Sequence, residues 1–111
     1  MLPLDTHQVE DINGSGVIDN AHVTVSFQAD GKVSGSTGCN RFIGSYAVGG
    51  HALQIKPLAT TRRACVPAIE SQQTRFLDVM KDVSSWDTDQ RGRLVLKADN
   101  GSFIASSKAQ N

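Results

Sequence analysis

Short runs in which apolar and polar residues alternate, broken by glycines, dominate the chain and predict antiparallel strands. Val23, Val25 and Phe27 alternate with Thr24 and Ser26, and after Asp30-Gly31 the pattern resumes at Val33. A two-residue turn would set Phe27 opposite Ser34. A three-residue loop, Ala29-Asp30-Gly31, pairs Phe27 with Val33 and Gln28 with Lys32, and it alone keeps one face apolar. That register needs a residue at positive φ, which Gly31 adopts without steric cost, so a bulge is expected there.

A second hairpin runs from Gly44 to Ile55. A Gly49-Gly50 loop would pair Tyr46 with Leu53 and Val48 with His51, leaving Tyr46, Leu53 and Ile55 on an inward face. A third joins Leu94–Lys97 to Phe103–Ala105 around Asn100-Gly101, where two- and three-residue loops both give acceptable faces. One stretch has helical spacing: Ile69, Phe76, Leu77, Met80 and Val83 return to one side of a 3.6-residue helix, with Glu70, Gln72, Arg75, Asp78 and Asp82 on the other. Pro67 suits its first turn, so the helix is predicted over about 67–83, and Ser84-Ser85 then lead into a short strand around Trp86. Gly14-Ser15-Gly16 reads as a loop and Ser106 to Asn111 as a frayed tail.

This pattern is that of an α+β domain with a mainly antiparallel sheet and one helix. The 111 residues, 39% of them hydrophobic, suffice for one core, so a single domain over 1–111 is expected, ordered from about 5 to 106. Lys plus Arg number 11 and Asp plus Glu 11, giving no net charge to hold nucleic acid or an anionic membrane surface. A monomer is the expectation. No apolar run reaches the roughly 20 residues that span a bilayer, and Met1–Leu4 is too short for a signal peptide. If the protein is exported, its targeting or lipoprotein segment lies outside this chain.

Cys39 and Cys65 lie outside any CxxC pattern, and only His7, His22 and His51 are available to help them, so no metal site is expected. A disulfide or two buried thiols fit better, and the disulfide is favoured. Such a bond persists in an oxidising compartment.

Ser36-Thr37-Gly38-Cys39-Asn40-Arg41-Phe42-Ile43-Gly44-Ser45-Tyr46 resembles the central signature of the META domain family, which includes the HslJ-like heat-shock proteins of bacterial envelopes. The resemblance extends to Asp11-Ile12-Asn13-Gly14, to Phe27 and Asp30–Gly35, and to Thr60-Thr61-Arg62-Arg63-Ala64-Cys65. Two positions depart from the family pattern: His7 stands where a tryptophan is common, and Arg63 where a methionine usually precedes Ala-Cys. The resemblance implies a strongly curved, barrel-like sheet, a periplasmic or outer-membrane-associated location, a link to stress and antibiotic resistance, and no catalytic chemistry. It makes Gly38, Cys39, Asn40, Arg41, Phe42, Gly44, Tyr46, Thr61, Ala64 and Cys65 structural motif residues.

Several side chains invite functional readings. Arg41, Arg62 and Arg63 could gather as an anion-binding patch, since the guanidinium fork suits carboxylate or phosphate; two adjacent arginines are more often simply solvated. Asn40 is expected to satisfy backbone groups in a left-handed turn. Cys39 as a nucleophile is a distant alternative, because a bridged sulfur cannot attack. Phe42, Tyr46, Trp86 and Phe103 could line a chamber for a small apolar ligand, though filling the core is the expected use. Two functions follow: a non-enzymatic, stress-associated envelope domain, without cofactor, that binds an unknown envelope protein or component, and a small-ligand carrier.

Overall fold

The computed structural model describes residues 1–18 and 21–108. In chain order the elements are β1 (Asp5–Ile12), β2 (Ser15–Gly16), β3 (Val23–Phe27), β4 (Lys32–Thr37), β5 (Arg41–Gly49), β6 (Ala52–Ile55) and β7 (Ala59–Thr60). Helix α1 (Pro67–Lys81), β8 (Val83–Thr88), β9 (Leu94–Ala98) and β10 (Phe103–Lys108) complete them. All pairings are antiparallel. The sheet runs β10-β9-β8-β6-β5-β4-β3-β1, and β10 returns to β1, so these eight strands close into a barrel. The fold is α+β with a strongly curved sheet, and closure leaves few free edges.

The first hairpin has its expected register. Phe27 pairs with Val33, the Gln28 N–H donates to the Lys32 carbonyl at 2.9 Å, and Gly31 stands at φ 91°. The same loop recurs between β9 and β10, where the Ala98 N–H donates to Ser102 at 2.8 Å and Gly101 has φ 92°. That settles the third hairpin as the three-residue form.

The second hairpin corrects the expected register. Tyr46 pairs with Ile55 and Val48 with Leu53, so the turn is Gly50-His51 and not Gly49-Gly50. Trp86 explains the shift: its Nε1 donates to the Gly50 carbonyl at 2.7 Å, its backbone N–H to the His51 carbonyl at 2.9 Å, and His51 stacks on the indole at 4.7 Å. Leu53 and Ile55 are buried as expected, while Val48 is exposed.

Helix α1 ends at Lys81, two residues earlier than predicted, because Val83 already belongs to β8 and is buried there. Its buried face comprises Gln72, Phe76, Val79 and Met80. Gln72, expected on the polar side, has its Oε1 accept the Ile18 N–H at 2.8 Å, which explains its burial. The helix packs on β4 and also on β9 and β10, strands from opposite sides of the barrel, and so lies across one end of it. Phe27, Leu53, Phe76, Met80, Leu94, Leu96 and Ile104 are essentially inaccessible and fill the interior.

The expected tail is partly strand. Ser106 pairs with Val9 and Lys108 with His7, closing the barrel, and Ser106 is fully buried with its hydroxyl donating to the Leu94 carbonyl at 3.3 Å. Residues 109–111 of that tail lie outside the described residues. The expected loop at 14–16 contains β2, reached by a tight turn with Asn13 at φ 53° and Gly14 at φ 90°.

Candidate functional site

Between β4 and β5 the chain turns through Thr37-Gly38-Cys39-Asn40. Gly38 takes φ 90°, so the left-handed position expected of Asn40 belongs to the glycine. Thr37 Oγ1 accepts the N–H groups of Cys39 at 3.2 Å and Asn40 at 2.8 Å, which satisfies the turn locally. The Asn40 side chain is thereby free for another task.

That task is to hold the segment after β7. Asn40 is 5% exposed. Its Oδ1 accepts the Arg63 N–H at 2.6 Å and the Thr61 hydroxyl at 3.0 Å, and its Nδ2 donates to Gln73 Oε1 at 3.0 Å and to the Arg63 carbonyl at 3.3 Å. One buried amide therefore ties the β4–β5 turn, residues 61–63 and helix α1 together. The Arg41 N–H donates to Thr61 Oγ1 and the Thr61 N–H to the Arg41 carbonyl, both at 3.0 Å. Cys39 and Cys65 form a disulfide, with Cα atoms 6.0 Å apart. Residues 61–65 have no regular structure of their own, yet they are anchored at alternate positions, Thr61, Arg63 and Cys65.

The anchoring brings Arg41, Arg62 and Arg63 to one open cleft of about 630 Å³, with His22, Gly38 and Thr61 also on its walls. All three arginines are exposed, and among the described residues no carboxylate lies within ion-pair distance of them. A second, more apolar cleft of about 490 Å³ shares Arg41 and Thr61 with the first and is lined by Gly35, Phe42, Ile43 and Ala59. Strand register explains the adjacency. Ser36, Arg41 and Thr61 form one row across β4, β5 and the end of β7, and Ser34, Ile43 and Ala59 form the next.

The other motif residues sit in the frame. Phe42 packs its ring on Phe76 at 5.6 Å, Tyr46 stands edge-on to Phe27 at 5.0 Å, and Gly44 lies so close to Leu58 that a Cβ there would come within 2.6 Å. Burial, and to a lesser degree the nearby Asp30 carboxylate, push the Tyr46 hydroxyl above its usual range. Ala64 is exposed. Of the aromatics, Phe42 and Trp86 are buried, and Tyr46 and Phe103 are half-buried. His7, at the departure from the family pattern, is buried; its Nε2 donates to the Pro3 carbonyl at 3.2 Å while Nδ1 has no partner. Among the described residues no three His, Cys, Asp or Glu side chains gather as metal ligands, and no helix is long and apolar enough to cross a membrane.

Gln73 was missed by the sequence reading, because a glutamine on a helix reads as solvated. The charge signal was also available and unread. Between Gly31 and Ile69 the chain carries Lys32, Arg41, Lys56, Arg62 and Arg63 and no Asp or Glu. The neutral total conceals a cationic segment balanced by acidic flanks.

The META domain family model matches residues 2–111. The chain belongs to the META domain family. No curated protein matches this META domain. Solved structures share its fold. An NMR structure of a protein from Burkholderia xenovorans is 22% identical, with 97% of this chain and 84% of that one covered and a TM-score of 0.74. A second NMR structure is 26% identical over 93% and 88% of the two chains, at a TM-score of 0.72. The crystal structure of a DUF4847-family protein from Bacteroides vulgatus is 16% identical over 96% and 94%, at a TM-score of 0.73.

Proposed function

We propose that this META domain is a stress-associated domain of the bacterial envelope, without catalytic activity, that works by binding another envelope component. The observation that carries the reading is the Cys39–Cys65 bond, which fixes an irregular, solvent-facing, arginine-bearing segment to the barrel. A disulfide of this kind is compatible with an oxidising, extracytoplasmic compartment. Ordering an exposed segment before its partner arrives lowers the entropy lost on binding, which suits a recognition surface. The link to stress comes from the HslJ-like members of the family.

A cysteine-dependent activity has little support, because both sulfurs are bonded to each other and neither supplies a thiolate. The carrier reading has less support, since packed side chains occupy the barrel interior where a ligand would sit.

The test has two parts. Native protein treated with an alkylating agent should resist labelling until it is reduced, and it should capture a specific component from envelope extract that a control barrel does not. Ready labelling of Cys39 in unreduced protein, or capture no better than the control, would sink the proposal.

A further inference from the structure

The row of basic and apolar positions across β4, β5 and β7 points to a more specific partner. We infer that the two adjoining clefts form one recognition groove for an acidic segment of another protein, in which carboxylates meet Arg41, Arg62 and Arg63 and a neighbouring apolar side chain lies over Ile43 and Ala59. The inference rests on the binding role proposed above and assigns its surface.

Four observations converge on this occupant. The first is charge complementarity, because five cations and no acid lie between residues 31 and 69 of a chain that is neutral overall. Lys32 stands by Asp30 and Lys56 lies in another cleft, but the three arginines share one cleft, and such a local positive surface steers an acidic partner toward it. The second is availability: the three arginines have no intramolecular carboxylate among the described residues, whereas Arg93 is engaged by Asp89 at 2.7 Å and by Glu10 at 3.4 Å. The third is preorganisation. The Arg63 backbone is held on both its N–H and its carbonyl by Asn40, and the Arg41 backbone is paired with Thr61 in both directions. Fixing these backbones costs nothing further when a ligand binds.

The fourth is the apolar half. Ile43 is 55% exposed on a strand whose neighbour Phe42 is 2% exposed, and it lies beside the Arg41 row. An exposed isoleucine beside an arginine fits the composition of protein interfaces, where apolar anchors are ringed by polar contacts and Arg is enriched. Both compartments are open clefts with room for several side chains, and they share Arg41 and Thr61. That shape suits side chains projecting from an extended acidic chain.

The probe is an acetylated, amidated decapeptide alternating glutamate and leucine, titrated into isotope-labelled protein at low and at physiological salt and followed by amide chemical shifts. Matched peptides alternate glutamate with serine and lysine with leucine, and a further arm uses phosphatidylglycerol vesicles. The expected result is saturable shifts confined to residues 34–43 and 59–65 for the glutamate-leucine peptide. Binding should weaken several-fold with glutamate-serine and vanish with lysine-leucine. Arg62→Ala/Arg63→Ala should weaken it about tenfold, in keeping with exposed ion pairs of modest individual strength, and should leave the remaining spectrum unchanged. Because both side chains are exposed, this variant keeps its fold.

Shifts centred elsewhere, no saturation, or equal binding by the lysine peptide would overturn the inference. So would vesicle binding that depends on the arginines while the peptide fails, which would transfer the cleft to lipid headgroups. If an envelope partner is captured equally well by the double arginine variant, the binding role stands and this assignment of its surface falls.

Discussion

Replacing Asn40 by alanine tests whether one buried amide holds the recognition segment. The change removes two bonds accepted by Oδ1, from Arg63 and Thr61, and two donated by Nδ2, to Gln73 and the Arg63 carbonyl. Each is worth about 1 kcal/mol net, and a buried partner left unsatisfied costs about 1–3 kcal/mol. Thr61 is exposed and can turn to water, and Gln73 Oε1 keeps the bond donated by the Thr37 hydroxyl, so the lasting losses are at the Arg63 N–H and carbonyl. The sum is about 2–4 kcal/mol, set against the roughly 5–15 kcal/mol that holds a domain of this size. With an unfolding entropy of about 2.1 cal/mol/K per residue, that loss lowers Tm by about 9–17 °C. Urea unfolding followed by fluorescence of Trp86 gives the free energy, and calorimetry gives Tm. A native-like variant that loses less than about 1 kcal/mol would show that water replaces the amide, and the claim that Asn40 organises the segment would fail.

Three further outcomes are expected. Reducing Cys39–Cys65 releases a crosslink between residues 26 apart, worth about 3–4 kcal/mol on the chain-entropy model, and should lower Tm by more than ten degrees or so; a shift of only a few degrees would mean the hydrogen bonds alone restrain the segment. Gly35→Ala would drive a Cβ into the Thr24 carbonyl oxygen and place it 2.8 Å from Phe42, so this variant should be recovered unfolded or in inclusion bodies, and normal soluble yield with an unchanged melt would refute the packing described. At Asp89, the hydrogen bond from Arg93 chiefly holds the carboxyl below its usual range. A lowered value means the contribution is present above the ordinary Asp pKa of about 3.9 and fades as pH falls through the folded-state value. Asp89→Asn should therefore lower Tm at pH 7, and the difference from the parent should shrink as pH falls below the ordinary Asp value, as read by melting curves across the acid range.

The first hairpin was legible because only one register keeps Val23, Val25, Phe27 and Val33 on a common face. The second was not, for an instructive reason. Pairing Tyr46 with Leu53 or with Ile55 puts the same side chains inward, so alternation cannot choose between them. The choice is made by Trp86, far along the chain, gripping Gly50 and His51. Val83 suited both a helix and a strand, and only the pairing with Ala98 decides it. Ser106–Lys108 looked like a tail because a barrel seam can be built from serines when the backbone bonds are complete. At the site, the resemblance made Gly38–Asn40 and Cys65 visible and spacing brought Arg62 and Arg63 to notice. Their union with Arg41 depends on β5 pairing with β7, and the grip of Gln73 on Asn40 depends on how α1 crosses the barrel. Neither leaves a local pattern.

The seam between β1 and β10 also has a consequence in time. Strand β1 is bordered by β3 on one side and, along most of its length, by β10 on the other, so His7 waits for Lys108. A ribosome delivers β1 long before β10 exists. Barrel closure is therefore the last long-range event and a slow one by the usual link between contact separation and rate. Until then the chain cannot complete its core, which makes the newly emerged, unclosed barrel the form most exposed to aggregation.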